Sequence, residues 1–321
     1  ASYTRDPYIN PRLSNHMSSS MLIHKLAAKF VPTQILKTDT QTKTVVILGA
    51  IDGVNAIASL EKTAFAISEV GQATLGRLVD SILLINNNDV YFWSLANLVQ
   101  DLERNPGVKL NFIYPASETH IRKYGLQKHH MVAETPELYS EVVEPFIATQ
   151  KGDRIQWVYN ILFKGKESES FVHHETDSTL GFVLLPDMKW DRKTMDALYL
   201  ITIVNRTDIA SVRDINGSHV DYLQEILAKI RHVVSLTYPV AADQLRLFVH
   251  YQPSYYHFHI HVVNVAHPGL GDGLNVGKAI LLDDVIENVK LVPDYYQRRT
   301  LYYQLGENHA LWEKVKEHGQ R

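Results

Sequence analysis

At 321 residues the chain is long enough for two domains, each burying a core of its own. Its 45% apolar and 21% charged content is that of a globular protein, its net charge of -3 offers no general attraction to long polyanions, and the absence of cysteine excludes disulfides, thiolate metal sites and a cysteine nucleophile. With neither a run of about 20 apolar residues nor a signal-peptide pattern, the expectation is a cytoplasmic, or also nuclear, protein without a membrane.

Residues 1–16 read as a polar, irregular leader, either disordered or added for expression before a start at Met17. The β-branched run Thr44-Val45-Val46-Ile47-Leu48, then Asp52-Gly53, then Ala56-Ile57-Ala58 predicts a β-hairpin. Residues 109–114 alternate as a strand, and Thr135-Pro136-Glu137 predicts the start of a helix with Leu138, Val142 and Phe146 on its inner stripe. The polar stretch Thr149-Gln150-Lys151-Gly152-Asp153 suggests a boundary, giving an N-terminal domain over 17–150 and a C-terminal domain over 151–321. In the second domain, residues 157–163, 181–185, 199–204, 245–251 and 257–265 are candidate strands. Ser218 is expected to cap a helix carrying Leu223, Ile226, Leu227, Ile230 and Val234 at helical spacing. The fold class that follows is α+β, with helices packed on a mainly antiparallel sheet.

The strongest chemical signal is His250-Tyr251-Gln252-Pro253-Ser254-Tyr255-Tyr256-His257-Phe258-His259-Ile260-His261-Val262-Val263. In an extended strand alternate side chains share a face, so His257, His259 and His261 would line up opposite Phe258, Ile260 and Val262. Neutral imidazole is nucleophilic near pH 7 and attacks phosphorus to give a phosphohistidine that water resolves, with Ser254 placed to donate to phosphate. The same spacing also suits a transition metal or a purely structural role, so catalysis, metal binding and structure all stay open at this level.

His-Phe-His-Ile-His-Val-Val resembles the signature of the histidine triad superfamily, although Val263 and Asn264 stand where the usual motif closes on a further histidine. The longer Tyr-Gln-Pro-Ser-Tyr-Tyr-His-Phe-His-Ile-His string resembles the scavenger mRNA decapping branch, especially its fungal members. The similarity runs through Tyr114-Pro115-Ala116, Trp157-Val158-Tyr159-Asn160-Ile161-Leu162, Leu185-Pro186-Asp187-Met188-Lys189-Trp190 and Ala279-Ile280-Leu281-Leu282. It implies a histidine-triad-like C-terminal domain and a smaller α+β N-terminal domain exchanged between the subunits of a dimer. It also implies hydrolysis of 7-methylguanosine cap nucleotides and short capped RNA, with no cofactor. His259 would be the nucleophile, His250 and His261 would stabilise phosphate charge, and His257 would buttress the strand.

The resemblance further implies the cap contacts. A 7-methylated guanine is cationic, so Trp157 would stack on it and Glu167 would accept from its edge. Ten residues apart, the two would share a face of one strand. Read without the resemblance, such a Trp is more often core and such a Glu more often surface. Met188 would close the other side of the base, Pro186 and Asp187 would line base and ribose, and Ser254 and Tyr255 would sit at the cap. Lys189, Lys123 and Lys278 would meet phosphate, and Asn88 and Tyr91 of the N-terminal half would reach the ligand as that half closes. Implied partners are a second copy or a paralogue, and the 5'-to-3' exoribonuclease machinery. A weakly active regulatory paralogue and a metal-dependent hydrolase are the alternatives.

Overall fold

The structure, a computed structural model, describes residues 19–66, 70–71 and 74–319. The expected leader, residues 1–16, lies outside them. The chain forms two compact units that divide between Leu126 and Gln127. That division lies upstream of the boundary expected at 150. The stripe of Leu138, Val142 and Phe146 is buried in the main core of the second unit, together with Val132 and Ile147. The polar run near 150 is a surface turn within that unit and continues into a 3-10 turn, Gly152–Ile155. Polar composition there marks exposure to water rather than a linker.

In the first unit helix α1 (Ser19–Lys29) precedes β1 (Val31–Asp39), β2 (Thr44–Ile51), β3 (Val54–Lys62), β4 (Val79–Asn88), β5 (Tyr91–Leu98) and β6 (Val108–Ile113), and helix α2 (Glu118–Tyr124) follows. The predicted hairpin is β2–β3. Asp52 (φ 51°) and Gly53 (φ 79°) both take the left-handed conformation that a tight turn matched to strand twist requires. A four-stranded sheet of order β1-β2-β3-β6 buries Leu36, Val46 and Ile57 against partly buried Ile113, Ile121 and Tyr124. Strands β4 and β5 form a separate two-stranded ribbon.

The second unit contains β7 (His129–Glu134), short helical turns through Thr149, helix α3 (Gln156–Lys164), β8 (His173–His174), β9 (Phe182–Pro186), β10 (Tyr199–Val204), helix α4 (Val220–Thr237), β11 (Leu245–His250), β12 (His259–Asn264), β13 (Ala279–Leu281), helix α5 (Leu282–Leu291), β14 (Leu301–Gly306) and helix α6 (Ala310–Glu317). Six strands form an antiparallel sheet of order β13-β11-β12-β10-β9-β8. On one face Leu184, Leu200, Ile260 and Val262 pack into the main core, which also takes Leu223, Ile226, Ile230 and Val234 of α4. On the other face Val183, Leu185 and Ile203 pack with Ile155, Val158, Ile161 and Leu162.

Two local expectations are corrected. Residues 157–163 are helical, not a strand: Val158, Ile161 and Leu162 form a buried i, i+3, i+4 stripe, and Gly165 (φ 67°) ends the helix in the left-handed conformation. Ser218 does not cap α4. It lies in a 3-10 turn where the Asn216 side chain accepts from the Ser218 N–H at 2.9 Å and from its hydroxyl at 2.6 Å.

Candidate active site

Strand β12 places His259 opposite Ile203 and His261 opposite Ile201, so both imidazoles share the sheet face that carries α3. His257 lies just before the strand rather than in it. All three rings are buried. Each has a defined hydrogen-bond geometry. His259 Nδ1 lies 2.8 Å from the carbonyl of His257, and His257 Nε2 lies 2.7 Å from the carbonyl of Val204. A carbonyl only accepts, so neutral His259 carries its hydrogen on Nδ1 and keeps the Nε2 lone pair, and Nε2 has no protein partner. His261 Nδ1 pairs with the Tyr199 hydroxyl at 2.7 Å, which leaves its Nε2 unpartnered as well.

Neighbouring rings hold these groups in place. Tyr255 stacks on His259 at 3.9 Å and meets the indole of Trp157 edge-on at 4.8 Å. A stack covers one face of the imidazole and leaves its in-plane nitrogens available. His250, at the end of β11, packs 4.1 Å from the His261 ring, and its Nε2–H donates to the Gly273 carbonyl at 2.7 Å. Phe248 stacks on His261 from the neighbouring strand position.

Burial lowers the pKa of His259 to about 4, with the His257 carbonyl opposing the shift. Burial also holds His261 well below the imidazole range, and the positive fields of His259, His250, Lys189 and Lys278 add to it. Burial pushes the Tyr199 phenol up, as does the charge of Asp187. The site therefore presents neutral imidazoles across the physiological range. Their folded pKa values lie below the ordinary value of 6.5, so the unfolded chain binds more protons between the two values. The stability from this source is complete above pH 6.5 and is lost as pH falls from there through about 4. Thermal melts from pH 8 down to 4 are expected to show a falling midpoint below 6.5, and a flat profile would contradict neutral burial.

The second unit brings together His250, Tyr255, His257, His259, His261 and Trp157, with Lys189 and Lys278 close enough to act on His261 and Asp187 on Tyr199 and Tyr255. Pro186 closes β9, and the turn after it is fixed by Asp187 Oδ1 accepting from the Lys189 N–H at 2.8 Å. Trp157 is 45% exposed and Met188 97% exposed, large apolar groups left open to water. Glu167 is not on a strand shared with Trp157. It lies exposed in the turn beyond α3, in the left-handed conformation (φ 61°) that a glutamate rarely adopts. Ser254 is exposed beside Tyr255. Asn88 and Tyr91 face each other across the turn of the β4–β5 ribbon in the first unit, and Lys123 lies on α2 of that unit, 5.6 Å from the Tyr124 ring. Among the described residues no group of three or more His, Cys, Asp or Glu is placed to hold a metal ion, and no helix is long and apolar enough to cross a membrane.

Sequence reading passed over Tyr199, which became visible as a partner of His261 only through the register that sets it opposite Val263. It also passed over Glu134 and Arg213, a fully buried ion pair at 2.8 Å. Their signal in the sequence is slight, because they are far apart in the chain and each looks like a surface charge.

Comparison with known proteins gives the family. Residues 25–127 match the family model described as scavenger mRNA decapping enzyme (DcpS) N-terminal, and residues 156–277 match the scavenger mRNA decapping enzyme C-terminal binding model. The m7GpppX diphosphatase of Schizosaccharomyces pombe is 45% identical over 91% of this chain and 95% of its own length. Those of Bos taurus (38% identical, 88% of this chain and 84% of the relative) and Caenorhabditis elegans (34%, 90% and 91%) are also similar. With both family models matched in order and relatives aligned over nearly their whole length, the chain belongs to the scavenger mRNA decapping enzyme family.

Proposed function

We propose that this chain is an acid-anhydride hydrolase that cuts 7-methylguanosine cap dinucleotides and short capped RNA into 7-methylguanosine monophosphate and a diphosphate-ended fragment. The observation that carries the reading is the tautomer of His259: Nδ1–H is committed to the His257 carbonyl, so the buried, unpartnered Nε2 is a nucleophile. Its lone pair forms a bond to the phosphorus nearest 7-methylguanosine, and the bond from that phosphorus to the bridging oxygen breaks, its electron pair leaving with the diphosphate end. Water then attacks the same phosphorus, the P–N bond breaks, and neutral imidazole is restored once the water's proton departs. The Tyr199 phenol, kept protonated by burial, donates to His261 Nδ1, so that His261 Nε2–H points to the phosphoryl oxygens. Lys189 and Lys278 add positive charge on the same side, and Ser254 donates to phosphate.

The base is held by Trp157 and Met188, whose exposed apolar surfaces favour a planar cationic ligand, while Asp187 and Pro186 line its edge. The left-handed turn at Glu167 supports a carboxylate aimed by its backbone at the guanine edge. Trp157→Ala is expected to raise KM for a methylated cap dinucleotide about 10- to 100-fold, matching the roughly 1–3 kcal/mol of a base–aromatic stack, with a smaller effect on kcat. An unchanged KM in steady-state assays would remove Trp157 from the cap site.

The β4–β5 ribbon supports a working dimer. Ile82, Leu83, Leu84, Ile85, Phe92, Trp93 and Leu95 are all exposed on it, and a lone two-stranded ribbon with so much apolar surface needs a covering partner. A second copy exchanging this ribbon covers it, and Asn88 and Tyr91 at its tip are then carried to the ligand. Cytoplasmic or nuclear residence, and action alongside a 5'-to-3' exoribonuclease, complete the proposal. The test is product analysis with methylated and unmethylated capped dinucleotides. The expected result is 7-methylguanosine monophosphate from the former and far slower cleavage of the latter; equal rates would refute cap recognition.

A further inference from the structure

The second unit contains a buried polar cluster that the chemistry described above does not use. The Glu134 carboxylate, at the end of β7 and 0% exposed, accepts from four side-chain donors: Arg213 Nε at 2.8 Å, Tyr251 OH at 2.6 Å, Tyr303 OH at 2.9 Å and Gln252 Nε2 at 3.1 Å. Arg213 in turn donates to the carbonyls of Glu134, Tyr296 and Arg299, each at 2.7 Å. Each guanidinium nitrogen and both carboxylate oxygens thereby have a protein partner, the condition under which a buried pair can specify one arrangement of its surroundings.

Two of the four donors, Tyr251 and Gln252, lie in the segment that joins β11 to the histidine strand. Gln252 passes the connection on, since its Oε1 accepts from the Tyr256 hydroxyl at 2.9 Å. The Tyr251 N–H donates to the Lys278 carbonyl at 3.0 Å, which ties the backbone of that lysine to the same anchor. On one side of the anchored pair stands His250, packed on His261; on the other stand Ser254 and Tyr255, the latter stacked on His259. One carboxylate thus anchors the start of this segment directly and, through Gln252, reaches Tyr256 nearer its end.

We propose that Glu134, acting through Tyr251, is a positioning residue that holds His250, Lys278 and Tyr255 in register with the reacting phosphorus. This rests on the hydrolase reading above. A network that only supported the fold would affect stability alone. A positioning network affects the chemical step, because groups that stabilise the transition state lose more from a small displacement than groups that bind the base.

The test compares wild type with Tyr251→Phe and Glu134→Gln in the full chain, using the methylated cap dinucleotide and a thermal melt of each protein. Tyr251→Phe keeps the ring and leaves the Glu134 carboxylate three donors, so it is the variant expected to fold. Its kcat is expected to fall about 10- to 100-fold with KM little changed. Glu134→Gln shifts kcat in the same direction wherever it folds. A lower melting midpoint in Tyr251→Phe with an unaltered kcat overturns the positioning role, as does a higher KM at constant kcat. Wild-type cleavage alongside an unaltered variant sinks this inference alone, whereas a wild type that leaves the dinucleotide intact sinks the hydrolase reading and this inference with it.

Discussion

Replacing His259 with asparagine is expected to lower turnover of a methylated cap dinucleotide by about 10⁴-fold or more, the scale on which loss of a covalent nucleophile is felt. Binding of the same dinucleotide should be retained. Asparagine still offers an N–H toward the His257 carbonyl, so the strand keeps its local bond, but it has no lone-pair nitrogen at the Nε2 position. Trp157 and Met188 stand apart from that atom on α3 and on the turn after β9, and they are unaltered. Isothermal titration and single-turnover cleavage separate the two effects. Residual turnover within tenfold of wild type would move the nucleophile elsewhere.

The largest expected effect on stability comes from Arg213→Leu. It leaves the Glu134 carboxylate buried without its cation, and a broken buried pair costs about 3–5 kcal/mol. Three carbonyls also lose their donor. For a domain of this size the thermal midpoint should fall by roughly 6–20 °C. The double variant Arg213→Leu, Glu134→Leu removes both charges and is expected to recover part of the loss, because the desolvation cost of the lone carboxylate disappears with it. Calorimetry on the single and double variants checks this. A single variant within 1 °C of wild type would mean that water reaches the carboxylate in the folded state.

Much of the fold is legible in the sequence where one physical signal dominates. The β2–β3 hairpin follows from β-branched runs around Asp52-Gly53, and β10 follows from the apolar run 199–204 with the boundaries expected of it. The stretch 157–163 is misread because Trp, Val, Tyr, Ile and Phe favour strands by propensity, whereas the spacing of Val158, Ile161 and Leu162 is helical and tertiary burial follows the spacing. The compact units divide at Leu126 and Gln127 while the polar run lies near 150, because a polar surface turn and a linker share a composition.

The candidate site divides the same way. The alternation of His257, His259 and His261 is local and can be read directly, although only His259 and His261 lie in the strand, and the cap roles of Trp157, Glu167 and Met188 are what the resemblance implies. Tyr199 and the Glu134–Arg213 pair are settled only by strand register and by packing between distant segments, which no local pattern encodes. The tautomer of His259 is of the same kind, since it depends on the direction of a backbone carbonyl two residues away.

The stereochemical course at phosphorus tests the central claim most directly. A cap dinucleotide made chiral by isotopic or sulfur substitution at the phosphorus nearest 7-methylguanosine is cleaved, and the configuration of the released monophosphate is determined. Attack by His259 followed by attack of water makes two in-line displacements, each inverting the centre, so net retention is the predicted result. Net inversion would mean that water strikes the cap directly, and His259 would then not be a nucleophile.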